Sequence, residues 1–276
     1  MNTIYALWLR NIKAFIRDRT LVIASIVFPF FFVYVFGAIF SNEHIENPLT
    51  YMLAGVIVAT VFDCSIRISS STINDMASGF MKEVLVSPVS RISVVAGQFL
   101  SAATVASIQG ITIFVIGFFI GFRVTSVFTV VAGLAAMVFM GIVFSGLGLF
   151  LATKTRTIQA FQIVSMAITM PMTFTSGAYV PVDILPMPLV IMSYVNPMTY
   201  AVSLFRIIAL EQTGLPQDEL IELSLAFQVG NFAITPFISL LILLLFGLVF
   251  IALSSVSFIN TDFSKMNRNK ADAIDW

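Results

Sequence analysis

Long apolar runs separated by short polar segments dominate the chain. The first, from Thr20 to Phe40, reads LVIASIVFPFFFVYVFGAIF after the threonine. Comparable runs cover 51–73, 92–122, 126–152, 158–180 and 234–259. A bilayer core about 30 Å thick takes a helix of about 20 mostly apolar residues, so each run is long enough to cross it. The pattern therefore predicts an all-α integral membrane protein with six transmembrane helices in a single domain. Pro29 and Pro171 lie inside the first and fifth runs, where each removes a helical hydrogen bond and favours a kink. The third run is long enough to tilt or to project past the lipid.

The intervening segments have patterns of their own. In 1–19, Ile4, Leu7, Trp8, Ile12 and Phe15 recur at helical spacing, with Arg10, Lys13 and Arg17 on other faces. That is an interfacial helix with its basic face toward headgroups. In 74–86, Met76, Phe80, Met81, Val84 and Leu85 share one broad face of a short helix, which Ser87-Pro88 ends. Its apolar face needs lipid or a groove in another protein. The stretch 181–233 is too long for a structureless loop. Three prolines break VPVDILPMPL, and helical pattern resumes around Asn196-Pro197. It reads as re-entrant or interfacial helices that cap the outer face between the fifth and sixth spans.

Composition agrees with a lipid solvent. Hydrophobic residues make up 59% of the 276 and charged residues 10%, against about 25% charged in soluble proteins. Fourteen basic residues balance 14 acidic ones, which leaves no electrostatic footprint for nucleic acid. With six spans and the N-terminus inside, most of the Lys and Arg fall in the N-terminal segment, in the 74–91 loop, at Lys154 and Arg156, and in the C-terminal tail. Cytoplasmic loops carry that excess, so both termini are expected in the cytoplasm. The first run exceeds a signal-peptide core and no small-x-small site follows it, so no cleavage is expected.

Candidate chemistry is sparse. Asp63 and Arg67 stand four apart in the second run and meet on one helical face. Asp63 falls near mid-depth, where a lone charge is costly and pairing lowers the cost; Arg67 can snorkel. The pair either lines a substrate path or gate, or is a structural ion pair packed between helices. One Cys, Cys64, and one His, His44, exclude a disulfide framework and His-rich metal sites. Gly117 and Gly121 in the third span, and Gly141, Gly146 and Gly148 in the fourth, permit close helix packing. The chain lacks a G-x-x-x-x-G-K-[ST] phosphate loop, an H-E-x-x-H pair and a G-x-S-x-G elbow. It is not expected to be an enzyme or to bind a cofactor. No internal repeat or ring of polar groups suggests a secondary transporter or channel.

Two segments carry a resemblance. DMASGFMKEVLVSPVSRISVVAGQ, from Asp75 to Gln98, places Gly79, Glu83, Pro88, Ser90 and Arg91 in the order of a cytoplasmic short helix, a Pro-x-Ser-Arg turn and a third span. SGAYVPVDILPMPL and VNPMTYAVSLFR place Pro181, Pro186, Asn196, Pro197 and Arg206 after the fifth span. In that order the chain resembles the membrane-spanning permease subunits of type-2 ABC exporters. The resemblance implies two permease subunits side by side, as a homodimer in the cell (inner) membrane, above two cytosolic ABC ATPase subunits that bind ATP and Mg. It makes 74–86 the coupling helix, with Met76, Phe80, Met81 and Leu85 inserted in an ATPase groove and Lys82, Glu83 and Arg91 adding polar contacts. Asp63, Arg67, Met170 and Phe174 become substrate-path candidates, and Pro181, Asn196, Pro197 and Arg206 structural residues of the outer region. Spans rich in Phe, Met, Ile, Val and Leu, with few Tyr or Trp, suit a hydrophobic or amphipathic cargo such as a drug or lipid. Export of lipid-linked polysaccharide or oligosaccharide is the alternative, as is an assembly or sensory subunit that moves no cargo.

Overall fold

A computed structural model describes residues 3–39, 48–78, 90–120, 122, 125–155, 157–229 and 232–261. Within them the chain folds as α1 (Thr3–Arg17), α2 (Arg19–Ile39), α3 (Pro48–Ile68), α4 (Ser70–Ala77), α5 (Arg91–Ile120), α6 (Val127–Lys154) and α7 (Ile158–Thr175). A single 3-10 turn, α8 (Met187–Val195), α9 (Pro197–Ala209), α10 (Gln217–Glu222), a two-residue hairpin ladder (β1, Gln228–Val229; β2, Phe232–Ala233) and α11 (Pro236–Asn260) follow.

Four stretches are long and apolar enough to cross a membrane: Thr50–Met76, which joins α3 to α4, Arg91–Phe119, Val127–Lys154 and Pro236–Asn260. A fifth is reached only when α1 and α2 are taken as one element bent by 69°. The expectation of six spans is therefore wrong: among the described residues the bundle has four, at most five. The run 158–180 folds as the 18-residue α7, which stops at Thr175. That is ~27 Å of helix, short of the bilayer core, and it carries Gln159, Gln162 and several hydroxyls. Beyond it the chain turns through Gly177 at φ +83°. A count of apolar residues ran across this turn, because Ala178, Tyr179 and Val180 are as apolar as a helix interior. The side of the membrane given to each loop rested on six crossings and does not follow from four or five.

The helix ends are specified locally. Ser126, Thr157 and Thr235 cap α6, α7 and α11 by accepting from Phe128, Ala160 and Ile238 backbone N–H groups at 3.1–3.2 Å. Inside the spans, hydroxyls are hidden by bonds back to the preceding turn, as in Thr60 to Val56 O at 2.9 Å and Ser107 to Ala103 O at 2.7 Å. α3 is the axis, packed against α2, α5, α6 and α9. Phe62 and Phe144 meet edge-on at 4.7 Å in the fully buried centre. Small residues bring the backbones together: a Cβ on Gly141 would lie 2.8 Å from Ala103 Cα on α5, and one on Gly148 2.7 Å from Ile66 Cα on α3. The glycines thus serve α3 and α5 against α6.

Candidate functional site

The middle of α3 is closed on every side but one. From Tyr51 to Ile66 every residue is buried except Asp63, which sits at the centre of the Thr50–Met76 span. One turn on, Arg67 Nη2 donates to Asp63 Oδ2 at 2.7 Å, and the two side chains are 39% and 54% exposed. Helical spacing brings them together. Both α2 and α7 pack against α3, yet these two side chains stay partly exposed. Phe32 of α2 stacks on Tyr179 at 4.8 Å, and Phe174 of α7 lies 5.6 Å from the same ring. Burial, with the Asp63 carboxylate adding to it, pushes the Tyr179 phenol up to about 12, so it stays a neutral donor. Met170 and Phe174, one turn apart on α7, are exposed, as are Phe28 and Phe31 on α2. The result is a groove with an ion pair as floor, aromatic rings at the Asp63 end and an apolar rim.

The bundle end that carries α1 is tied by polar contacts. Arg10 donates to Asp75 Oδ2 at 2.5 Å. Asn11 Nδ2 donates to Gln98 Oε1 at 3.0 Å and Ser101 Oγ at 3.2 Å, and Trp8 Nε1 to Thr104 Oγ1 at 3.0 Å. Arg91, at the start of α5, donates to the Ile259 carbonyl near the end of α11. Met76 packs with Leu7, Val94, Val95, Leu149 and Phe258, so it is turned into the bundle and away from any partner groove. Phe80, Met81, Lys82, Glu83 and Leu85 lie outside the described residues.

The opposite end is built around Arg206. Asn196 caps α9, with Pro197 at its first position, and accepts from Met198 N at 3.0 Å. The Asn196 amide donates to Met172 O at 2.6 Å and Thr175 Oγ1 at 3.1 Å, which fixes α9 to the end of α7. Pro181 opens the 3-10 turn that holds Asp183. Arg206 is 3% exposed, donates to Gly177 O at 3.0 Å and lies 3.5 Å above the Tyr51 ring. Burial pulls it below the usual arginine value. Tyr51 donates to Ser224 O at 3.0 Å, and Ser224 Oγ to Asp183 Oδ2 at 2.7 Å. The adjoining cavity is about 20 Å³, the scale of one water molecule and far too small for cargo. Among the described residues no three His, Cys, Asp or Glu side chains come together to hold a metal.

The sequence pointed to Asp63, Arg67, Met170 and Phe174; the structure pairs the first two and leaves Met170 and Phe174 exposed on α7, with Phe174 against Tyr179. It did not point to Phe32 or Tyr179, to the Arg10–Asp75 pair, or to Tyr51, Asp183 and Ser224 around Arg206. Those contacts join distant parts of the chain, and no local pattern signals them.

Comparison with known proteins bears on this geometry. The family model described as ABC-2 type transporter matches residues 2–210. The ycf38 transport permease of Cyanophora paradoxa is 28% identical over 241 residues, which cover 84% of this chain and 81% of that protein. The inner membrane transport permease YadH of Escherichia coli (strain K12) is 25% identical over 210 residues, 73% of this chain and 80% of YadH. The ycf38 permease of Porphyra purpurea is 26% identical over 202 residues, 70% and 68% of the two chains.

Proposed function

The chain belongs to the ABC-2 type transporter family, and from that membership we propose that it is the permease of an ATP-driven exporter of a hydrophobic or amphipathic substrate. It is a multi-pass membrane permease and not an enzyme in its own right. In this reading two copies pair in the cell membrane as single permease domains, with the N-terminus cytoplasmic. Two ATPase subunits supply ATP and Mg chemistry from below. They dock where α4 leads into the 79–89 segment, with Phe80, Met81, Lys82, Glu83 and Leu85 as contacts. Met76 supports α4 from inside the bundle. Substrate moves along the groove floored by Asp63 and Arg67.

The observation that carries the reading is the single opening in α3. A helix buried for sixteen residues exposes only an ionised side chain at mid-span. Charge facing hydrocarbon is unfavourable by at least about 2.5 kcal/mol. A groove that meets a polar part of a substrate relieves that cost. Purification from the native membrane, with identification of co-purifying proteins and an ATPase assay on the complex, tests it. A stoichiometric subunit with a phosphate-binding loop, whose hydrolysis rises with an amphipathic compound, is the expected result. A homo-oligomer without such a subunit would sink the proposal.

A further inference from the structure

The groove differs at its two ends, and the difference defines a ligand. At the Asp63 end an acceptor-only carboxylate lies beside Tyr179, with Phe32 and Phe174 packed on that ring. A carboxylate with aromatic rings nearby is an environment for an organic cation. At the other end Arg67 offers planar N–H donors, suited to a phosphate or carboxylate. The two charged residues are about 6 Å apart along the helix, the scale of an ammonium and an acid group joined by a two-carbon link. The exposed Phe28, Phe31, Met170 and Phe174 along the rim suit acyl or other apolar tails.

We propose that this groove binds the headgroup of a zwitterionic amphiphile, with its ammonium at Asp63 and its phosphate or carboxylate at Arg67. The proposal deepens the exporter reading and rests on it for the direction of movement, not for binding. The 2.7 Å Asp63–Arg67 contact closes the empty site, and each residue exchanges the other for the opposite charge of the ligand. A purely apolar cargo would leave the pair facing hydrocarbon. An anionic or cationic amphiphile would engage one residue and strand the other.

Native mass spectrometry of the purified chain in a maltoside detergent tests this with three short-chain probes of one tail length: phosphatidylcholine, phosphatidylglycerol and diacylglycerol. Phosphatidylcholine is expected to be retained about tenfold more strongly than either, and free phosphocholine not at all. Asp63→Asn is expected to lower that retention about tenfold, the worth of one charge-assisted contact. The double variant Asp63→Leu with Arg67→Leu keeps an apolar, helix-compatible surface and is expected to bind all three probes alike. Equal retention by the unaltered chain, preference for phosphatidylglycerol, or discrimination that survives in the double variant would overturn the proposal. Selective binding without ATP-driven movement in the reconstituted complex would count against the exporter reading and leave the headgroup site standing.

Discussion

At the scale of single residues, Arg206 shows what a buried cation needs. Its plane lies on Tyr51 and one Nη donates to the Gly177 carbonyl. A desolvated cation–π contact is worth about 2 kcal/mol, and a charged hydrogen bond about 1.5 kcal/mol or more. Arg206→Lys forfeits the planar stack and the fork yet keeps a buried charge. Arg206→Met forfeits the same contacts but escapes the cost of burying an ion, which is itself several kcal/mol. Thermal unfolding in detergent is expected to rank the protein as unaltered, then Met, then Lys; a lysine variant more stable than the methionine one would refute this. Glu211 acts differently. Its carboxylate accepts from the Thr125 hydroxyl and from Thr125 and Ser126 backbone N–H groups at 2.9 and 2.8 Å, where it caps α6. These bonds hold its pKa below the usual carboxylate value, the Thr125 hydroxyl most of all. The fold thus prefers the ionised form, so its contribution is complete above the unfolded carboxylate pKa and is lost as pH falls through the lowered one. Melting temperature against pH, from neutral to about 3, should fall more steeply in the unaltered protein than in Glu211→Gln. Parallel curves would show that the cap carries no pH dependence. Asp63 and Arg67 were legible because a helix makes neighbours of residues four apart. Arg10 and Asp75 stand 65 positions apart, and only the packed bundle brings them together.

At the scale of elements, contact geometry decides what a glycine is worth. Gly148 and Gly133 both lie in α6, and alanine at either gains about 1 kcal/mol of helix propensity. A Cβ at 148 would sit 2.7 Å from the Ile66 Cα and the Ser69 hydroxyl, whereas one at 133 would find only the edge of Phe205 at 3.9 Å. Pushing one backbone off another costs about 1–3 kcal/mol, which outweighs the propensity gain. Gly148→Ala is expected to lower the melting temperature and Gly133→Ala to leave it unchanged or raise it. The reverse order would mean that α3 and α6 are not in close contact in the membrane. The same elements show where periodicity stops being informative. Runs that form α5, α6 and α11 were found to within a few residues, since their apolar stretches end at caps or charges. The run 158–180 fails as a span because α7 stops at Thr175 and the chain turns at Gly177 with φ +83°, an event that hydropathy does not record. The run 20–40 counts as a span only together with α1, which it meets at a 69° bend beside the charged Arg17, Asp18 and Arg19.

At the scale of the whole molecule, a push at one end reaches the groove through the helices that join the two. α4 ends at Ala77, next to the proposed ATPase contact, and Asp75 holds it to Arg10 of α1. α1 in turn is bonded along α5 through Trp8 and Asn11. α4 also continues the same span that exposes Asp63 two turns away. A displacement of α4 therefore divides between α3, which carries the groove floor, and α1, which anchors it to α5. The Arg10–Asp75 pair is the charged part of that link, beside the packing of Met76 on Leu7, Val94 and Val95, so its loss weakens the share that passes to α1. Asp75→Asn is expected to leave assembly and ATP hydrolysis near normal while transport per ATP falls several-fold. The double exchange Arg10→Asp with Asp75→Arg should recover part of the loss, which a mere packing defect would not. Proteoliposomes that report hydrolysis and substrate movement in one sample measure the ratio. If hydrolysis and transport fall in proportion, the pair serves docking of the ATPase; if neither changes, motion reaches α3 without passing through α1.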